Sequence, residues 1–248
     1  MTTRTALVGG GASGIGHAVA AQLAKDGYRV VITGRRPDAL DAAVSALGGG
    51  DVSALVNDMA DPDAAAAALA EVQRRHGALD VLVLNAGGPP PGRILDVTDD
   101  QWQQAFALLL LGPLRLARLA LPRMAERGFG RVVVVTSTAV RRPQPDLAAS
   151  VVLRSAVTAA ATLLSREFAA HGVTVNCVAP GPTDTARRRE ILASRGADAD
   201  QADLAVVPAG RAGRPEEIAA AVAFLATEAA GYVNGTVLTV DGGRTETT

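Results

Sequence analysis

A short apolar run, Ala6–Val8, leads directly into Gly9-Gly10-Gly11-Ala12-Ser13-Gly14-Ile15-Gly16, and an Ala- and Leu-bearing helical stretch near 14–26 follows at once. Glycines let a backbone leave a strand sharply and approach a pyrophosphate, whose charge then rests on the free N–H groups at the helix start. A ligand-free β–α turn would use the same residue type. Placement between a first strand and a first helix is what points to a dinucleotide. Gly10, Ser13, Gly14, Ile15 and Gly16 are the candidate contacts, while His17 reads as a surface helix residue.

The rest of the chain repeats that unit. Apolar, β-branched runs at 29–33, 52–56, 79–84, 131–136, 173–178 and 236–240 alternate with candidate helices near 38–47, 62–76, 99–127, 147–171 and 215–229. Several of the helices stop at a glycine: Gly27, Gly77, Gly128 and Gly172. The runs are apolar throughout rather than alternating, as expected when helices cover both faces of a parallel sheet. The fold class expected is α/β: one Rossmann-like, doubly wound parallel sheet of about seven strands in a single domain over 1–248. Gly48-Gly49-Gly50 reads as a turn and Pro89-Pro90-Pro91-Gly92 as a stiff loop at a cleft rim. Residues 186–210, with Arg187, Arg188 and Arg189, have weak periodicity and suit a mobile lid.

Composition narrows the function classes. Twenty-four basic against twenty-five acidic residues leave no basic excess for nucleic acid or an anionic membrane. The longest uncharged apolar run, Ala105–Leu114, is about half the ~20 residues of a membrane span. Residues 1–8 lack a secretory signal's apolar stretch, so a cytoplasmic location is expected. Cys177, the single cysteine, reads as a small buried hydrophobe, and no histidine pair has metal-ligand spacing, so no metal is expected. His76 and His171 read as exposed helix ends.

The second strand ends in Gly34-Arg35-Arg36. An NAD site usually places an acid there to accept from the adenosine ribose hydroxyls, whereas two guanidiniums suit a 2′-phosphate. NADP(H) is therefore favoured over NAD(H).

With these residues in hand, the chain resembles the short-chain dehydrogenase/reductase family over essentially its whole length. Gly10, Gly14 and Gly16 match the family's G-x-x-x-G-x-G pattern. Asp58-Met59 looks like its adenine-contacting pair, and Asn85-Ala86-Gly87 like its N-A-G turn. Pro180-Gly181-Pro182-Thr183-Asp184-Thr185 resembles the loop that holds the nicotinamide carboxamide. The stretches at 213–217 and 234–243 are similar to the C-terminal signature of β-ketoacyl carrier-protein reductases.

The family's catalytic tetrad is Asn, Ser, Tyr and Lys, and the resemblance places Ser137 at the serine. Thirteen residues on, the tyrosine's place holds Ser150, the lysine's holds Arg154, and the helix asparagine's holds Leu109. Lys25 is the only lysine and neither tyrosine, Tyr28 or Tyr232, precedes it by four, so no Tyr-x-x-x-Lys pair exists. The chain looks like an atypical subgroup. A serine is a far weaker acid than a phenol, and an arginine stays protonated, so Arg154 can bind ribose or an anion but cannot itself be the acid. Asp146 is the nearby carboxylate that sequence can name, and Arg187–Arg189 could meet an anionic substrate such as a carrier-bound acyl chain.

Two functions remain open at this point. One is an NADP(H)-dependent oxidoreductase that reduces a carbonyl or related C=X group with Ser137, Ser150 and Arg154 as catalytic candidates. The other is a non-catalytic NADP-binding protein, a sensor or scaffold. The partner expected is a small molecule. Leucines cover much of the helix at 99–127, so a homo-oligomer is expected as well, and the resemblance implies a dimer or a tetramer.

Overall fold

The computed structural model describes residues 3–48 and 51–246. Of the glycine triplet read as a turn, residues 49 and 50 lie outside the described residues. Seven parallel strands form one sheet: β1 Thr5–Gly9, β2 Arg29–Gly34, β3 Val52–Val56, β4 Val81–Leu84, β5 Gly130–Val135, β6 Val173–Pro180 and β7 Val237–Val240, in the order β3-β2-β1-β4-β5-β6-β7. The order reverses between β1 and β4. In doubly wound sheets the ligand crevice opens at the carboxyl ends of the strands at such a point.

Consecutive side chains of each strand go to opposite faces, which is why the runs are apolar without a break. Ala6, Val8, Val30, Ile32, Val133 and Val135 pack on one face against Val19 and Leu23 of α1 (Gly14–Lys25) and Ile218 and Val222 of α9 (Pro215–Ala226). Leu7, Val31, Leu82, Val132 and Val134 pack on the other. There they meet Leu69 and Val72 of α3 (Ala64–His76), Leu121 and Met124 of α5 (Gly112–Glu126), and Val157 of α6 (Ala148–Phe168). Burying one such Leu or Val contributes about 1.5–3 kcal/mol. The four glycines expected to stop helices all carry positive φ. The helix α2 spans Pro37–Ala46.

The structure differs from the sequence reading at three places. The helix expected over 99–127 is α4 (Asp99–Phe106), a π turn at Ala107–Leu111, and α5, with Thr98 and Gln101 forming a capping box at the start. Residues 186–210, weakly periodic in sequence, hold two helices, α7 (Ala186–Arg195) and α8 (Ala199–Ala205), followed by turns over 206–210. Finally, Asp99–Glu126 and Ala148–His171 are long and apolar enough by composition to cross a membrane, with mean hydropathy 1.5 in their most apolar stretches. Isolated arginines interrupt both, so the uncharged run alone understates them, and here both lie on the sheet.

Candidate active site

The turn after β1 is built to take an anion. Gly10 and Gly14 have φ of +59° and +54°. A Cβ on Gly16 would stand 2.1 Å from the Gly10 carbonyl oxygen, so only glycine lets α1 begin against the turn. Ser13 occupies the N-cap position of α1, yet its side chain makes no capping bond, which leaves the first-turn N–H groups to a ligand. Asn85 Nδ2 donates to the Gly9 carbonyl at 3.0 Å and ties the turn to the end of β4. The turn therefore fits the pyrophosphate of a dinucleotide. Beside it, the Gly11 N–H donates to Thr33 at 3.0 Å, so the end of β2 abuts the turn. Arg35 and Arg36 follow the end of β2, both exposed and without an ion-pair partner among the described residues.

A cleft of about 350 Å³ opens over the strand ends. Gly10, Ser13, Gly14 and Ile15 form one wall, and Asn85, Ala86 and Gly87 the adjoining rim. Pro180, Gly181, Thr183 and Thr185 also line it, with Thr185 beside Gly14, and so do Ser137, just past the end of β5, and Ser150 and Arg154 of α6. Gly16, Arg35, Arg36, Asp58 and Met59 lie outside its lining. Asp58 accepts from the Ala60 N–H at 3.0 Å, and Met59 is a core residue, 8% exposed.

The three polar residues at the cleft base are linked. Ser137 Oγ accepts from the Ala139 N–H at 3.1 Å, which leaves its own proton to donate. Ser150 Oγ accepts from Arg154 Nε at 3.2 Å and is likewise left as a donor. Arg154 also donates through Nη1 to Val135 at 2.8 Å and Thr136 at 3.3 Å, and through Nη2 to Ala86 at 3.3 Å. Arg154 is half-buried and lines the cleft. Burial, with the charge of Arg187 adding to it, pushes its pKa down to about 10, so it remains a cation at neutral pH.

Other expectations are sharpened or corrected. Asp146 is held by Arg195 in a two-point ion pair, 2.6 and 2.9 Å, and so is engaged rather than a spare acid. The Arg187–Arg189 cluster is not one solvated face. Arg188 pairs with Asp200 and Asp203, Arg189 with Asp184, and Arg187 turns to the Pro89 carbonyl. Leu109 sits in the π turn, 3% exposed, packed with Ala105, Ala149 and Leu153, and offers no hydrogen bond. Tyr28 donates to the Ala226 carbonyl away from the cleft, and Tyr232 is fully exposed. His171 is exposed as expected, but His17 and His76 are half-buried, each with one ring nitrogen closed off. Cys177 is buried, and burial pushes its thiol up to about 12. Sequence reasoning missed Gln144, Leu147, Ile191, Leu192, Arg195, Asp203 and Arg244, which also line the cleft. No local pattern marks them, because tertiary contacts bring them in.

The geometry agrees with comparisons to known proteins. A family model described as enoyl-(acyl carrier protein) reductase matches residues 10–245. Human dehydrogenase/reductase SDR family member 4 is 32% identical over 246 residues, covering 98% of this chain and 88% of that one. The 3-oxoacyl-[acyl-carrier-protein] reductase MabA of Mycobacterium bovis is 34% identical over 241 residues, covering 97% and 92%. Among solved structures, YwfH, an NADPH-dependent reductase involved in bacilysin biosynthesis, superposes with a TM-score of 0.94 at 27% identity, covering 99% of this chain and 100% of the other. An actinorhodin polyketide ketoreductase determined with NADPH gives 0.93 at 31%, covering 98% and 96%. With a family match from the glycine turn almost to the last residue, relatives above 30% identity along nearly its whole length, and the sheet order to go with them, the chain belongs to the short-chain dehydrogenase/reductase family.

Proposed function

We propose that the protein is an NADP(H)-dependent reductase of a carbonyl or related C=X group whose proton is delivered without a phenol. The observation that carries this reading is that one cleft joins the anion-binding glycine turn to Ser137, Ser150 and Arg154. The relatives support the activity class, and two of the similar solved structures are named with NADPH.

A bound NADPH would supply a hydride at the substrate carbon. The chain's residues then do the rest. The α1 start would hold the pyrophosphate, Arg35 and Arg36 the 2′-phosphate, and the Pro180–Thr185 loop the nicotinamide end. Asp58 and Met59 would stand at the adenine, and Arg154, through the Ala86 carbonyl it holds, would fix the rim beside the ribose. The Ser137 and Ser150 hydroxyls, whose oxygens already accept, donate to the substrate oxygen as it gains negative charge. Arg154 holds Ser150 and adds its positive charge. The proton itself comes from water ordered by the two serines.

The test is NADPH oxidation across ketones, quinones, imines and acyl thioesters, with NADPH binding measured in parallel. Turnover that falls at least a hundredfold in Ser137→Ala is expected. NADPH binding with no turnover on any substrate, and no effect of Ser137→Ala, would replace this reading with a non-catalytic NADP-binding sensor or scaffold.

A further inference from the structure

Five guanidiniums surround the cleft: Arg154, Arg187, Arg188, Arg195 and Arg244. Three are neutralised. Arg188 and Arg244 share Asp203, each at 3.0 Å, and Arg195 is paired with Asp146. Arg154 has no carboxylate partner among the described residues; carbonyls and one serine hydroxyl hold it. Among the described residues the one carboxylate that Arg187 meets is Glu190, exposed and 3.3 Å away on the same helix.

The two remaining cations hang from one loop. Arg154 Nη2 donates to the Ala86 carbonyl, and Arg187 Nη2 donates to that of Pro89. Between these carbonyls, Arg187 lies over Gly88, its Nε and Nη2 each 3.4 Å from where a Cβ would be. Arg187 is near enough for its charge to act on Arg154. Of the five N–H donors of the Arg154 fork, four bonds are accounted for, and one on Nη2 remains. A half-buried cation with no carboxylate partner among the described residues, beside a second cation, favours a ligand that brings negative charge to it. The neighbouring walls, Leu147, Ile191 and Leu192, are apolar and suit a carbon body.

We propose that the cleft selects an anionic substrate, a carbonyl compound bearing a carboxylate that sits between Arg154 and Arg187. The carbonyl part of this statement rests on the reductase reading above; the carboxylate part rests on the guanidiniums alone. One carboxylate oxygen would take the free Arg154 N–H and the other the Arg187 guanidinium, so the pair would also hold the ligand's position along the loop.

Calorimetry on the NADPH-loaded and the cofactor-free protein tests it with hexanoate and its neutral analogue hexanamide. Hexanoate is expected to bind at least tenfold tighter than hexanamide. Arg187→Gln is expected to erase that preference, and Arg187→Lys, which keeps the charge, to retain most of it. Equal affinity for the two probes, no hexanoate binding at millimolar concentration, or a preference indifferent to Arg187→Gln would each overturn the proposal. Inorganic phosphate displacing hexanoate at equal concentration from the loaded protein would overturn the carboxylate assignment as well. A kinetic arm separates the two readings, using 4-oxopentanoate against its methyl ester. If neither oxidises NADPH, nor any other carbonyl compound, the reductase reading falls and calorimetry still decides the anion site. If the ester is reduced as well as the acid and hexanoate shows no preference, the anion site falls and the reductase reading stands.

Discussion

Arg195 closes on Asp146 with two hydrogen bonds, Nε to Oδ2 at 2.6 Å and Nη2 to Oδ1 at 2.9 Å, and so clasps α7 to the loop that enters α6. Arg195 Nη2 also donates to Gln144 at 2.8 Å. The pair is partly exposed, with side chains 24% and 38% accessible, so its net worth is about 0.5–1 kcal/mol after solvent screening. Arg195→Gln should therefore barely move the global melting temperature but should speed amide exchange across 186–205 several-fold. Raising salt to 1 M should do the same in the unmutated protein. Exchange in that segment unchanged by both would show that the clasp does not hold α7 and α8 in place.

Cofactor choice should turn on Arg35. Charge-assisted hydrogen bonds contribute about 1.5–3 kcal/mol each, so NADPH should bind at least tenfold tighter than NADH. Arg35→Asp should reverse the order, because a carboxylate repels the 2′-phosphate and accepts from a free 2′-hydroxyl. Titration of both nucleotides against both proteins checks this, and equal or tighter NADH binding to the unmutated protein would refute it.

Arg154 is a strut as well as a charge. Arg154→Met keeps the alkyl stem but leaves the carbonyls of Ala86, Val135 and Thr136 without their donor. Unsatisfied buried acceptors cost roughly 1–3 kcal/mol, so stability should fall by that order and NADPH affinity with it. Ser150→Ala, which leaves those carbonyls paired, should lose turnover with little loss of stability. Chemical denaturation of the two variants separates the roles.

Cys177 gives a pH signature. Its folded thiol is raised from about 9 to about 12, so the folded state prefers the neutral form. That preference is harmless below pH 9 and costs stability as pH rises from 9 towards 12, by up to about 1.4 kcal/mol per pH unit. Cys177→Val should flatten the alkaline limb of the stability profile. Thiol-reactive dyes should label native protein only as fast as it opens, and rapid native labelling would contradict the burial.

Assembly should follow from the outer faces of α4–α6, where Phe106, Leu119, Val152 and Leu163 remain 39–61% exposed. Exposed large apolar side chains on neighbouring helices favour self-association. Light scattering at micromolar concentration should report a dimer or larger, and Leu163→Arg with Val152→Glu should shift it towards monomer.

The strands, the glycine turn and most of the cleft residues were legible in the sequence because they depend on local pattern. Val30-Val31-Ile32 must be a strand buried on both faces, and Gly14-Ile15-Gly16 must open a helix. Long-range contacts were not legible. Nothing near Arg195 announces Asp146, 49 positions away, as its partner. Nothing in Arg187-Arg188-Arg189 says that the three will part company. The helices α7 and α8 were missed for the same reason: ion pairs such as Arg188 with Asp200 and Asp203, rather than an apolar stripe, knit them together. The π turn escaped notice because an unbroken run of leucines hides a change of one residue per turn.

Strand order also sets a timetable for synthesis. The strand made first, β1, lies in the interior of the sheet, and one of its neighbours, β4, is not complete until Leu84. At roughly 5–20 residues per second, a ribosome needs about 4–16 s after Thr5 to deliver that partner. Meanwhile Ala6, Leu7 and Val8 can pair only with β2, leaving one edge open to other nascent chains. Cells that make this protein must shield an unfinished sheet for those seconds, and slower translation would lengthen the exposure.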